Sequence, residues 1–344
     1  MSMGAYLAAI RSALPEGILD NEQLAGEFEG WSAEKIYTKT GIRSRHIARA
    51  DECGSDLAVK AAERLISDTG IERSSIDYLL YCTQTPDYQM PTTACLVQHR
   101  LRLPTSCAAL DYNLGCSGYV YGLGLCKALI ESNQANRILL ITADTYSKIV
   151  NPADKSVRTI FGDGATASLL VASEQPNVTG PFVYGTDGSG EANILIPASG
   201  ARRRREPDAA LVADDSGNAR TVNDLYMNGS EVFNFTLRIV PDVVNRLLTT
   251  AKATKDSVDL FVFHQANGFL LDHLRRKLEI PREKFVVCME RIGNTVSSSI
   301  PFALQDCART GKLRSNALVM LVAFGVGYSW GATLLRWGDA ELSA

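Results

Sequence analysis

The 344-residue sequence predicts an α/β protein built from two related halves. Three observations predict it. Short apolar, strand-like runs alternate with helical stretches along the chain. Hydrophobic residues make up 46% of the chain and charged residues 21%, a balance that suits a large packed core. Finally, four pieces of the first half recur in the same order in the second.

The elements follow in order. Residues 4 to 10 read as a strand, and Asn21 to Phe28 as a short helix opened by Asp20 as N-cap. In the stretch Thr40-Gly41-Ile42-Arg43-Ser44-Arg45-His46-Ile47, composition alone does not exclude a solvated turn for the two arginines and His46. Asp56 to Thr69 is an amphipathic helix that Gly70 ends. Ile76 to Cys82 reads as a buried strand, Thr93 to Leu101 as a helix, and Ala108 to Asn113 as a strand. A buried helix begins after Cys116, and Arg137 to Thr142 is another apolar strand. Phe161-Gly162-Asp163-Gly164-Ala165 is a glycine-rich bend before the strand Ala167 to Val171. It is not a phosphate loop, because no lysine follows the glycines.

The second half repeats this pattern. Ser257 to His264 matches Ser75 to Cys82, with Asp259 and Asp77 at equivalent positions. Ile292-Gly293-Asn294-Thr295 echoes Leu114-Gly115-Cys116-Ser117, and Ala317 to Val322 echoes residues 137 to 142. Phe324-Gly325-Val326-Gly327 then echoes Phe161-Gly162-Asp163-Gly164. The halves are expected to span residues 1–175, carrying Cys116, and 176–344, carrying His264 and Asn294, with the boundary near Ser173-Glu174-Gln175-Pro176-Asn177. Residues 186 to 222, with Arg202-Arg203-Arg204-Arg205, read as a surface excursion.

Composition also excludes function classes. A net charge of −3 gives no general reason to expect nucleic acid. The eight cysteines show neither a CxxC pair nor metal-ligand spacing, so neither a disulfide framework nor a metal is expected, and a reducing cytoplasmic setting is. The first residues lack a signal-peptide pattern, and no apolar run reaches the ~18 residues of a membrane span.

Chemistry concentrates on Asp111 to Tyr119. Gly115-Cys116 reads as a sharp turn from a strand into a helix N-terminus, where the helix dipole and free N–H groups are expected to lower the thiol pKa. A lone cysteine is more readily read as filling a core gap. The repeat decides between these readings. It puts Cys116 and Asn294 at equivalent turns, and Cys82 and His264 at equivalent strand ends. A nucleophile from one half then faces polar groups from the other across a pseudo-twofold interface. His264 taken alone could be a satisfied core histidine; His46, His99 and His273 read as structural or surface residues.

Gly115-Cys116-Ser117-Gly118, His264-Gln265-Ala266-Asn267, Gly293-Asn294-Thr295 and Phe324-Gly325-Val326-Gly327-Tyr328-Ser329-Trp330-Gly331 together resemble the signature set of the β-ketoacyl-acyl-carrier-protein synthase III family. Thr40 to His46 and Phe161 to Ala165 belong to the same set, so the resemblance covers nearly the whole chain. It implies a thiolase-like five-layer αβαβα fold and an obligate homodimer. It implies that Cys116 is the acylated nucleophile, that His264 and Asn294 bind the malonyl thioester carbonyl, and that the N–H groups of Cys116 and Val326 form the oxyanion hole. The implied substrates are an acyl-coenzyme A or acyl-carrier-protein donor and malonyl-carrier protein as acceptor, with an acyl carrier protein as partner and no cofactor.

Several residues depart from the family pattern. Lys35 and Lys155 stand where a tryptophan and an arginine commonly sandwich an adenine, while Trp31 lies four residues out of register. Phe269 replaces a carrier-protein arginine, with Arg275, Arg276 and Lys277 nearby as a carrier patch. Val326 replaces an oxyanion-hole glycine, and Met90 a pocket-bottom phenylalanine lent by the partner subunit. These departures are as compatible with a dedicated pathway as with acetyl priming. The main alternative is acyl transfer from Cys116 to a hydroxyl, an amine or another non-malonyl acceptor. A non-catalytic partner subunit is disfavoured by the intact Cys116, His264 and Asn294. Hydroxymethylglutaryl-type condensation would need a glutamate beside the cysteine; Leu114, Gly115, Ser117 and Gly118 supply none, though Glu72 or Glu131 could approach in three dimensions.

Overall fold

A computed structural model describes residues 3–174 and 179–338. Its strands explain the apolar runs: successive side chains point to opposite faces, and here both faces are covered. The first sheet contains β1 (Gly4–Ala13), β2 (Tyr78–Cys82), β3 (Ala108–Tyr112), β4 (Arg137–Asp144) and β5 (Gly164–Ser173), in the order β1-β5-β4-β2-β3. The second contains β6 (Thr179–Thr186), β7 (Leu260–Phe263), β8 (Leu318–Gly325) and β9 (Ser329–Arg336), in the order β7-β8-β9-β6.

The pairing repeats between the sheets. β2 runs parallel to β4, as β7 does to β8. β4 is antiparallel to β5, and β8 to β9. β1 closes the first series antiparallel to β5, and β6 the second antiparallel to β9. Only β3 lacks a full counterpart; a single parallel bridge from Phe261 to Phe285 takes its place. The boundary expected at residues 173–177 falls largely on residues 175–178, which lie outside the described residues.

Eight helices of seven residues or more complete the described chain: α1 (Asn21–Glu27), α2 (Ala33–Thr40), α3 (Gly54–Thr69), α4 (Thr93–Arg100), α5 (Gly118–Glu131), α6 (Gly229–Ala251), α7 (Gly268–Lys277) and α8 (Ser299–Arg309). Three apolar clusters show how they layer. Leu79, Tyr81, Leu139 and Ile141 face Leu57, Leu65 and Val97 of α3 and α4. The alternate residues Leu80, Ile138 and Leu140 turn inward and meet Val262, Val319 and Leu321 of the second sheet, with Tyr119, Leu123, Ile300 and Leu304 of α5 and α8 between. Phe261, Phe263, Met320 and Val322 face Val240, Val244, Leu247, Leu271 and Leu274 of α6 and α7. The result is five layers, αβαβα. Truncating an inward residue such as Leu140 to alanine is expected to cost about 2–5 kcal/mol. Among the described residues, no helix is long and apolar enough to cross a membrane.

Local signals hold where they were readable. Asp20 caps α1 in a capping box, and Gly70 ends α3 in the left-handed conformation. The 23-residue α6 has no sequence-predicted counterpart, because Pro241 interrupts its pattern. The helix tolerates Pro241 because the Leu237 carbonyl, one turn earlier, accepts instead from Lys277 Nζ at 2.9 Å. The solvated turn left open for residues 40–47 holds for Arg43 and fails for Arg45. Arg43 is exposed and paired with Glu290, but Arg45 is fully buried. Its guanidinium donates to the Leu19 carbonyl, Asn21 Oδ1 and the Thr159 carbonyl, so it braces the core. The excursion from 186 to 222 stays largely irregular. Its strands are two residues long, and Arg202, Arg203, Arg204 and Arg205 are exposed.

Candidate active site

The segments that follow β3, β7 and β8, together with the loop before α8, converge on one cavity of about 180 Å³. Cys116, His264, Asn294 and Val326 all line it. Cys116 sits in the turn between β3 and α5, where the Gly118 N–H closes on the Gly115 carbonyl at 2.8 Å. A glycine facing that turn allows its close approach: a Cβ on Gly325 would lie 2.8 Å from Cys116 Sγ. His264 directly follows β7, and its backbone N–H is held by the Val322 carbonyl. Asn294 is bridged to Phe161: its N–H donates to the Ile160 carbonyl and its carbonyl accepts from the Gly162 N–H. The glycine-rich bend of the first half therefore carries the polar loop of the second.

The electrostatics correct one expectation. The helix N-terminus does not leave Cys116 with a lowered pKa. Burial pushes the thiol up to about 12, and the charge of Asp144 adds to the rise. The N–H groups of Val326 and of Cys116 itself oppose it by donating to the sulfur. α5 begins only at Gly118 with Ser117 as its cap residue, so Cys116 precedes the helix. At neutral pH the free cysteine is a thiol, deprotonated as it reacts. His264 is buried and neutral: loss of hydration lowers its pKa to about 3. Asp144, also fully buried, accepts from Ser297 Oγ at 2.6 Å and the Gln84 N–H at 2.8 Å. Burial nevertheless raises its pKa to about 7.

The remaining expected residues divide. Lys35 and Lys155 lie off this cavity, in an adjoining cleft with Trp31 and Lys39. Ser156 and Ile160 line both spaces and so join them. The Lys35 and Lys39 ammonium groups sit 5.2 and 5.4 Å from the Trp31 ring centre, close enough for cation–π attraction. Phe269 is exposed, stacks on Phe233, a cavity-lining residue, and packs at a tilt against His273. Arg276 is exposed and, like Arg275, paired with Asp272. Met90 is 82% exposed and does not line the cavity of its own chain. Neither Glu72 nor Glu131 lines it either.

Sequence reading missed Tyr146, Phe233 and Ser299. Tyr146 lines the cavity and donates to Gln84 Oε1. Ser299 Oγ lies 2.7 Å from His264 Nδ1. The run Ser297-Ser298-Ser299, polar and yet inside a buried segment, was the available signal for the last.

Known proteins share this arrangement. Residues 110–188 match the family described as 3-oxoacyl-[acyl-carrier-protein] synthase III, and residues 248–337 match its C-terminal part. The chain is 37% identical over 327 residues to a β-ketoacyl-[acyl-carrier-protein] synthase III of Bradyrhizobium diazoefficiens, covering 95% of this chain and 96% of that protein. A crystal structure of a 3-oxoacyl-(acyl-carrier-protein) synthase III superposes with a TM-score of 0.95 at 49% identity, over 97% of this chain and 100% of the other. A 3-oxoacyl-(acyl-carrier-protein) synthase structure from Burkholderia xenovorans gives 0.90 at 38% identity, over 98% and 95%. With its two repeated sheets and these matches across almost its whole length, the chain belongs to the 3-oxoacyl-acyl-carrier-protein synthase III family of acyltransferases.

Proposed function

We propose that the protein catalyses a decarboxylative Claisen condensation between an acyl thioester and malonyl-acyl-carrier protein, with Cys116 carrying the acyl group. The observation behind this reading is the convergence of Cys116, Val326, His264 and Asn294 on one cavity. The Cys116 sulfur attacks the donor carbonyl, and the departing thiolate takes the thiol proton. The N–H groups of Cys116 and Val326 hold the oxyanion of the tetrahedral intermediate. Malonyl thioester then loses carbon dioxide, and His264 and Asn294 donate to the enolate oxygen. The enolate carbon attacks the acyl-cysteine, and collapse releases the 3-oxoacyl thioester and expels the Cys116 thiolate, which takes a proton from water to restore the thiol.

The environment of His264 favours this over transfer to a hydroxyl or amine. A general base for such an acceptor works best with a pKa near the operating pH, and burial holds His264 near 3. The cleft with Lys35, Lys39 and Lys155 supplies cations for the phosphates of a coenzyme A or phosphopantetheine donor. Phe269 and Arg276 belong to the face on which the carrier protein docks.

The chain is expected to act as a homodimer. β3 is the edge strand of the first sheet, with Leu110 exposed on it, and Tyr88 and Met90 are exposed large apolar residues. In this reading a second copy covers that edge, and Met90 is the residue lent to the partner's acyl pocket. Release of labelled carbon dioxide from malonyl-acyl-carrier protein tests the main reading. No release from wild type with any acyl donor would replace condensation by the acyl-transfer alternative.

A further inference from the structure

The pocket needs His264 and Asn294 as hydrogen-bond donors, yet each side chain carries a donor and an acceptor. For Asn294 the backbone decides. Its Oδ1 accepts from the Val296 N–H at 2.9 Å, so Nδ2 is left for the cavity. Val296 makes that bond at φ +54°, a left-handed conformation that a buried β-branched residue rarely adopts.

For His264 the deciding group is a side chain. Ser299, the first residue of α8, places Oγ 2.7 Å from His264 Nδ1. The same oxygen receives the backbone N–H of Gln265 at 3.3 Å. That N–H cannot turn away. Gln265 is fully buried, with Nε2 donating to the Phe263 and Val286 carbonyls and Oε1 accepting from the Cys288 N–H. Ser299 Oγ therefore already accepts one bond, and its single proton needs an acceptor. Were Nδ1 protonated, the hydroxyl proton would be left buried and unpaired at a cost. A lone pair on Nδ1 satisfies all three groups. The ring is further held edge-on to Phe324, with centres 5.7 Å apart.

We propose that Ser299 is a positioning residue: its hydroxyl donates to Nδ1 and locks His264 in the Nε2–H tautomer, so that the ring can only donate to the enolate oxygen. The proposal rests on the reading of His264 as an enolate donor. Together with the Val296 N–H, Ser299 makes residues 294–299 one device that sets the polarity of both donors.

The test is ¹⁵N NMR of histidine-labelled protein, with His264→Ala identifying the His264 resonances. Wild type is expected to show His264 as a single neutral Nε2–H tautomer from pH 6 to 8. An Nδ1–H tautomer or an imidazolium in wild type would overturn the proposal without any serine variant. Ser299→Ala should show mixed tautomers. Its decarboxylation should fall about tenfold while Cys116 still becomes acylated at the wild-type rate. Ser299→Thr, which keeps the hydroxyl, should restore both the tautomer and the rate. Ser299→Ala with an unmixed Nε2–H signal and unchanged decarboxylation would also sink the idea. If wild type releases no carbon dioxide at all, the condensation reading fails instead, and the tautomer spectrum still reports on Ser299.

Discussion

The turn at Cys116 and the turn at Asn294 occupy equivalent places in the two halves, yet their surroundings differ in charge. The first lies near a buried carboxyl, Asp144, whose charge disfavours the thiolate. At the second, the same carboxyl is held by Ser297, but no charge acts on His264: burial sets its state, and hydrogen bonds from Ser299 and Val296 orient His264 and Asn294. One backbone plan thus yields a thiol held protonated by burial, with a nearby carboxyl adding to the effect, and two polar side chains set by orientation. The difference teaches that these turns were specialised by the groups packed behind them. Cys82, the counterpart of His264, shows the same principle: its thiol donates to the Leu114 carbonyl and braces the Cys116 turn from within.

The largest expected effect separates nucleophile from donors outright. Cys116→Ala should lose the acyl adduct completely, as read by intact-protein mass spectrometry after incubation with acyl-coenzyme A; an undiminished adduct would remove Cys116 from its role. Next, His264→Ala and Asn294→Ala should each lower decarboxylation by about 10²–10³, or ~2.7–4 kcal/mol of transition-state stabilisation, while acylation at Cys116 continues. Equal losses in both half-reactions would erase the contrast drawn here.

A smaller effect sharpens the electrostatic side. Asp144→Asn removes the negative charge near Cys116, so the thiol pKa should fall and iodoacetamide alkylation at pH 7.5 should quicken, by about tenfold for a one-unit shift. No acceleration would mean that burial alone restrains the thiol. The same variant carries a stability signature. Asp144 binds its proton more tightly folded than unfolded, so folding is favoured below the ordinary aspartate range and that advantage is lost as pH rises toward 7. Wild-type Tm should therefore decline between pH 4 and 7 more steeply than that of Asp144→Asn.

The mildest prediction concerns His264 and pH. Its pKa near 3 keeps it neutral throughout the working range. The decarboxylation profile of acylated enzyme should show no limb near 6.5, and a limb that disappears in His264→Ala would contradict the neutral-donor assignment.

How much of this was legible before folding depends on distance along the chain. Cys116, His264 and Asn294 could be singled out because each lies in a short local pattern, and the repeat paired them. Asp20 and Gly70 announced their helix ends for the same reason: capping depends on a few adjacent residues. α6 was missed because its tolerance of Pro241 depends on Lys277, which reaches Leu237 from another helix. Arg45 looked solvated because its acceptors are scattered between Leu19 and Thr159.

The sequence by itself determined the alternation of strands and helices, the order of the two repeated patterns, and the residue types gathered at the cavity. These follow from periodicity and local backbone chemistry, which neighbouring residues settle among themselves. Tertiary structure alone decided that Cys116 rests as a thiol, that His264 is neutral, and that its Nδ1 meets Ser299. Protonation and tautomer depend on dehydration and on hydrogen-bond partners, and both are set by chain segments that meet only when the sheets close on each other.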